Sequence, residues 1–178
     1  MSVQEQNQQT VFEQLFLPHL QAAYNLARWL TRNEQDAQDA VQEACLRAYR
    51  FSARFHGGAA KPWFLKIVRN TCYTWLQKNR MYKDSTEFDE ALSGPDLHIP
   101  DAEKVLLRSE EKELLRLALR TLPDTFREVL ILRELEEMSY REISDVIGVP
   151  AGTVMSRLSR ARSALSQVIV TLTNKVAA

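Results

Sequence analysis

Two cysteines, five glycines and six prolines are all that 178 residues contain, and the histidines number three. Cys45 and Cys72 are too few for a disulfide framework, and neither stands at metal-ligand spacing from the other or from a histidine. Both fall inside helical patterns and read as reduced structural thiols, as in a cytosolic protein. So little glycine and proline excludes a fibrous or low-complexity chain. No apolar run approaches the roughly 18 residues a bilayer crossing needs. The first ten residues are polar and rich in glutamine, unlike a secretory leader. The expectation is a cytoplasmic chain without membrane insertion. Phosphate-cradling glycine loops are missing too, and Gly57-Gly58 reads only as a turn. His19, His56 and His98 are isolated, while Glu110-Glu111 and Glu136-Glu137 read as acids on solvated helix faces. These absences leave an enzyme poorly supported and give no reason to expect a cofactor or a metal.

What the chain does have is helical periodicity and segregated charge. A hydrophobic content of 45% suffices for buried cores, and the formal net charge is zero. That zero conceals blocks. Residues 1–45 hold two basic and six acidic side chains; residues 46–83 hold nine basic and no acidic ones; residues 84–106 hold one basic and seven acidic ones. A +9 block is able to meet nucleic acid.

The pattern over 11–30 is helical, with Pro18 inside it as a kink or break. Asn33 is placed to cap a helix over 34–54 that buries Ala37, Ala40, Val41, Ala44, Cys45, Ala48 and Tyr49. A loop over 51–62 precedes a third helix, running from Trp63 to about Arg80, whose outer side carries Lys66, Arg69, Asn70, Tyr73, Lys78 and Arg80. Aromatics mixed with cations around a short loop suit single-stranded DNA, since bases stack on rings while cations follow phosphates. Trp63 and Trp75, taken singly, read as core. Residues 83–102 lack a helical period and read as an acidic linker. Helices over 103–122 and 125–135 follow, the second capped by Asp124.

The most informative stretch is 139–162. Ser139 and Glu142 form a capping box, Ile143, Val146 and Ile147 make one apolar face, and Gly148 stops the helix. Val149-Pro150 turns the chain, and a second helix begins near Ala151 or Gly152 and runs to about Thr171. At about 100° per residue, Val154, Leu158, Ala161 and Leu165 share one sector. Thr153, Ser156, Ser159, Arg160 and Ser163 lie opposite, with Met155, Arg157 and Arg162 on the flanks. A basic helix with small hydroxyl side chains, presented by a tight turn, suits entry into a DNA major groove.

Three separated stretches, Asp36-Ala-Gln-Asp-Ala-Val-Gln-Glu43, Trp63-Phe-Leu-Lys-Ile-Val-Arg-Asn70 and Leu122-Pro123 through Arg162, together resemble bacterial RNA polymerase sigma factors of the extracytoplasmic-function (ECF, group IV) family. The resemblance implies an all-α chain of two small helical domains. A sigma2-like domain would span 10–83, a flexible acidic linker 84–102, and a sigma4-like helix-turn-helix domain 103–178. It implies that Asp36, Asp39, Gln42 and Glu43 dock on the clamp helices of the polymerase β′ subunit, with the β flap as a further contact. Arg54, Phe55, His56, Lys61, Lys66, Arg69, Asn70 and Tyr73 would hold the separated −10 strand, Asn70 helping to line the pocket of an extruded base. Thr153, Ser156, Arg157, Ser159, Arg160 and Arg162 would engage the −35 duplex. Ser156, Ser159 and Arg160 would face bases, while Arg157, Arg162 and Arg141 would hold phosphates.

The implied function is promoter selection and DNA melting for core RNA polymerase, under the control of an anti-sigma factor. Many relatives carry Asp where Thr74 stands and Arg where Gln77 and Asn79 stand. Met155 and Ser159 replace larger or charged residues of some relatives, so no −35 sequence carries over. The competing reading is a stand-alone helix-turn-helix regulator, which has no use for a basic, aromatic-flanked N-terminal block.

Overall fold

The computed structural model describes the backbone of residues 3–83 and 102–176, and the side chains of 8–79 and 110–174. Among these residues every regular element is helical. In order they are α1 (Val3–Leu15), α2 (Leu20–Thr31), α3 (Glu34–Phe51), α4 (Ala60–Lys83), α5 (Ala102–Thr121), α6 (Asp124–Leu130), α7 (Tyr140–Ile147) and α8 (Ala151–Val176). The acidic segment expected to be a linker lies, but for Ala102, outside the described residues.

Pro18 breaks the first pattern into two helices separated by a 3₁₀ turn, Leu17–His19, because proline offers no amide and clashes with the preceding turn. The polar start is itself helical from Val3 onward, which the sequence reading left without an element. Arg32 ends α2 in the left-handed region at φ 60°. The side chain of Asn33 then accepts the Asp36 amide at 2.9 Å, so α3 starts as expected. The third helix begins at Ala60, with Pro62 in its first turn where a missing amide does no harm.

In the N-terminal bundle α2, α3 and α4 pack on one another. Ala23, Ala27, Ala37, Ala40, Ala44 and Ala48 are fully buried, and such small side chains let the helix axes approach closely. Phe16, Leu26, Leu30, Phe64, Leu65, Val68 and Cys72 fill the space between them. Burial of an aliphatic side chain of this size contributes about 1.5–3 kcal/mol. The C-terminal bundle sets α5, α6 and α7 around α8, through Val129, Leu130, Leu132, Ile143, Val146, Val154, Leu158 and Ala161.

Several local expectations are corrected. Pro123, not Asp124, is the N-cap of α6. Asp124 instead receives hydrogen bonds from Arg127 at 2.9 Å and Arg32 at 3.0 Å. The α-helical part of that segment ends at Leu130 and continues as a π-helical turn, Ile131–Leu135. In that turn the Glu136 amide donates to the Ile131 carbonyl at 3.1 Å. The helix over 34–54 closes at Phe51, followed by a 3₁₀ turn, Ser52–Arg54. The last helix runs to Val176, beyond the expected Thr171.

The two bundles are in contact. α2 lies against α6, and α4 against α7, so the buried cluster runs without interruption from Phe16 to Leu158.

Candidate nucleic-acid interface

The helix-turn-helix forms from strictly local chemistry. Ser139 Oγ accepts the Glu142 amide at 3.2 Å, and the Glu142 carboxylate accepts the Ser139 amide at 2.8 Å. The Ser139 amide and hydroxyl, both donating to this carboxylate at 2.8 Å, hold the Glu142 carboxyl below its ordinary titration range. Gly148 closes α7 at φ 74°, a conformation side chains with a Cβ resist. Two amides, those of Thr153 and Val154, donate to the Pro150 carbonyl at 2.9 and 3.1 Å and start α8.

On α8, Val154, Leu158 and Ala161 are buried and Leu165 packs at the edge. Ser156, Ser159, Arg160 and Ser163 are exposed on the other side, and Thr153 is half-buried. Met155 is exposed beside them. Arg160 Nε reaches only the Ser156 carbonyl of its own helix, at 3.4 Å, so the guanidinium is available to a base edge or phosphate. Arg162 is tied to Glu134 by two bonds at 2.7 and 3.2 Å. Arg157 is half-buried, with its guanidinium 3.9 Å from Glu128. Arg141 is exposed on α7.

The proposed −10 residues do not share one open face. Arg54 and His56, from the 52–59 turn and loop, and Lys66 and Asn70, on α4, are exposed. Phe55 packs edge-on to Phe16 and Trp63, with ring centres 5.5 and 5.4 Å apart. Trp63 also lies 4.9 Å from Phe16, so it is part of an aromatic root beneath the loop. Arg69 and Tyr73 are half-buried rather than exposed, because the C-terminal bundle covers them. Arg69 donates to the two oxygens of Glu128 at 2.8 and 3.1 Å, and Tyr73 Oη donates to the same carboxylate at 3.1 Å. The Arg69 guanidinium also lies over the Tyr73 ring, 4.6 Å from its centre. Burial opposes the Arg69 charge, yet the bonds to Glu128 prevail and raise its pKa. Burial, followed by the Glu128 charge, pushes the Tyr73 phenol upward as well.

Lys61 is engaged in the same way. Its ammonium donates to the Glu136 carbonyl at 2.7 Å and lies 3.2 Å from the carboxylate. Asn25 donates to the same carboxylate at 3.1 Å. Glu136 is therefore buried, at 9% exposure, and not on a solvated face as its sequence suggested.

Asp36, Asp39, Gln42 and Glu43 line the outer side of α3, with Gln42 the most open. Asp39, Gln42 and Glu43 border a groove of about 440 Å³ shared with Leu46, Arg47, Thr71, Thr74, Trp75 and Lys78. Glu43 pairs with Arg47 at 2.8 Å. Leu46, half exposed at 50%, adds an apolar spot that the periodicity reading overlooked.

Sequence reasoning also missed Glu128 and Arg127. Both are fully buried within the apolar run from Phe126 to Leu132, where a charged pair on the core side was the available signal. Among the described residues there is no cluster of ligands that could hold a metal ion, and no helix is long and apolar enough to cross a membrane.

A helix-turn-helix bundle joined to a second, cationic helical bundle defines a DNA-binding protein of two all-α modules. Comparison with known proteins gives the family. The Sigma-70 region 2 profile matches residues 15–81, and the Sigma-70, region 4 profile matches 112–165. The chain is 34% identical to the RNA polymerase sigma-H factor of Pseudomonas aeruginosa, over 95% of its own length and 96% of that protein. It is 35% identical to the ECF RNA polymerase sigma-E factor of Escherichia coli K12, over 75% of this chain and 74% of that one. The structure of the sigma factor RpoE of Bartonella quintana, in complex with the anti-sigma factor NepR, superposes with a TM-score of 0.75 at 27% identity. That match covers 89% of this chain and 96% of the other. The fold is shared as well with CnrH, at a TM-score of 0.64 and 23% identity. This chain belongs to the sigma-70 family, in its extracytoplasmic-function group.

Proposed function

We propose that this sigma factor divides its work between its bundles in the following way. It directs core RNA polymerase to promoters and helps melt them. The sigma2-like domain, 10–83, holds the polymerase and the melted −10 strand; the segment 84–102 links it to the sigma4-like domain, 103–178, which engages the −35 duplex. Ser156, Ser159 and Arg160 read base edges, Arg157, Arg162 and Arg141 fix register on phosphates, and Thr153 completes the −35 set. Arg54, Phe55, His56, Lys61, Lys66, Arg69, Asn70 and Tyr73 form the strand-binding set. Asp39, Gln42 and Glu43, with Asp36 beside them, meet the β′ clamp helices. The groove they border sets Asp39 and Glu43 beside Arg47 and Lys78 around Leu46 and Trp75, a mixed surface that a protein partner can cover.

The observation that carries this reading is the exposed Ser156, Ser159 and Arg160 row, paired with a separate cationic loop rooted in aromatics. Such a pair of surfaces fits one protein gripping duplex and single strand at once. The protein contributes placement and strand capture, acting in the cytoplasm beside the polymerase, and no bond-making step of its own.

Control by an anti-sigma factor is part of the proposal, supported by the Bartonella relative's complex with NepR. A second apolar groove supports it too. It is lined by Trp29, Leu115, Leu119, Leu130, Ile131 and Leu165 and holds about 410 Å³. Apolar surface of this kind marks a partner site, for the β flap or an anti-sigma helix. The test is transcription by core polymerase with and without this chain on a library of promoter fragments. Promoter-specific transcripts that need the chain are expected; none on any fragment, with tight duplex binding in the absence of core, would transfer the assignment to a stand-alone regulator.

A further inference from the structure

Four arginines meet round one small cavity, and none of them belongs to the sets assigned to DNA or polymerase. Arg28 and Arg32 come from α2, Arg116 and Arg120 from α5, and Trp29 completes the lining. Each helix thus presents two like charges one turn apart, a spacing that is unfavourable even on an isolated helix. Nor is the group a solvated fringe. Arg28 is buried at 7% exposure, and Arg116 and Arg120 are half-buried.

A fifth guanidinium adds to the crowding. Arg127 and Arg32 donate to the same oxygen of Asp124, at 2.9 and 3.0 Å. Burial, and after it the Arg32 charge, pushes the pKa of Arg127 downward. Arg116 donates to Glu113 at 3.0 Å. A guanidinium carries five donors, and each of these bonds uses one.

We propose that this cavity binds a phosphoryl group, as free phosphate or as the end of a phosphate monoester, held between the arginines of α2 and α5. Size selects the group. The cavity measures about 30 Å³, and a water molecule needs about 10–15 Å³ on that scale. One phosphoryl fits; a nucleoside does not. Shape and charge favour it over a carboxylate, which is planar, carries one charge and fills a single guanidinium fork. A tetrahedral phosphoryl carries close to two charges and offers oxygens to cations on both sides. The walls are mainly carbon, from the indole and the arginine stems, so opposite charges attract there more strongly than in water. Anything esterified to the phosphoryl would leave along the apolar groove, since Trp29 and Arg116 line both.

The test is titration calorimetry of the full chain with sodium phosphate at constant ionic strength, alongside thermal unfolding followed by circular dichroism. One saturable site is expected, with an unfolding midpoint that climbs as the site fills. Arg120→Gln keeps a polar side chain, removes the charge and is expected to weaken phosphate binding about tenfold or more, the loss of one charged hydrogen bond. Arg120→Lys should recover part of that affinity. If Arg120→Gln loses helix, Arg116→Gln takes its place with the same expectation. Butyl phosphate binding more tightly than phosphate identifies an ester as the ligand, and equal or weaker binding identifies the free ion. Acetate binding as well as phosphate overturns the choice of a phosphoryl. A response that never saturates is the general effect of an excluded salt and overturns the site. Saturable binding that survives both Arg120→Gln and Arg116→Gln puts the phosphate elsewhere on the chain and overturns it as well.

Discussion

Arg127 is fully buried, and it finishes the end of α5. Its guanidinium donates to the carbonyls of Leu119 at 2.8 Å, Arg120 at 3.1 Å and Leu122 at 2.6 Å. It also reaches the Trp29 carbonyl across the domain contact at 3.3 Å, and Asp124 at 2.9 Å. The last carbonyls of a helix have no partner within it, and a planar five-donor fork serves them from one side. Lysine has three donors at a single point and cannot cover that spread. Arg127→Lys is expected to lower stability by about 3 kcal/mol or more, the range for breaking a buried charged network, as read from urea midpoints. At the proposed −35 surface, two arginines on one helix should behave differently. Arg160→Ala is expected to cost about 1–3 kcal/mol and relax preference at one −35 position. Arg162→Ala should weaken all duplexes alike and reduce the salt slope by about one. Selection from randomised −35 duplexes by holoenzyme separates the two.

At the scale of the element, α7 illustrates how much a few local signals decide. The capping box and Gly148 lie within ten residues of sequence, and both stand where the sequence places them. Ser139→Ala is expected to cost about 1 kcal/mol, the usual value of a lost cap. The Glu142 carboxyl titrates below its unfolded value near 4.5, through the Ser139 amide and then the Ser139 hydroxyl. Its contribution is therefore fully present above that value and is lost as pH falls through the lower folded one. Urea midpoints of the parent and of Glu142→Gln should differ at pH 7 and converge as pH falls through the lowered folded-state value.

Elements set by such short-range chemistry, α3 behind Asn33 and α8 behind Pro150, were legible in the sequence. The π turn at Ile131–Leu135 was not, since an apolar period of 3.6 over seven residues does not reveal one amide bonding a residue further back. Glu136 was read as solvated for a related reason. Its partners, Lys61 and Asn25, stand 75 and 111 residues away, and no local pattern announces a contact of that reach. Arg69 and Tyr73 were placed correctly on the outer side of α4 within their own bundle. What the sequence could not supply was the second bundle lying over them.

The whole molecule joins two bundles through a seam that carries charged pairs, at Arg69–Glu128, Lys61–Glu136 and Arg32–Asp124, alongside a buried apolar cluster that continues from one bundle into the other. Contacts of this polar kind between domains resemble transient interfaces, so the bundles should part at lower denaturant than either loses its helices. Cys72 gives a readout of the N-terminal one. Its thiol is fully buried, and burial pushes its pKa up to about 12, so iodoacetamide at pH 8 is expected to modify it only when α2, α3 and α4 come apart. A urea series that follows alkylation of Cys72 alongside scattering should show expansion first and modification later; coincident transitions would mean that the chain opens as one unit.

The indole of Trp63 is wedged between Phe16 and Phe55, immediately below the residues assigned to the promoter's unpaired bases. A nucleobase stacking beside Phe55 would change the polarity around that chromophore and alter its emission. With Trp29 and Trp75 replaced by Phe, the protein would carry its own optical gauge of promoter opening, with no dye attached to the DNA.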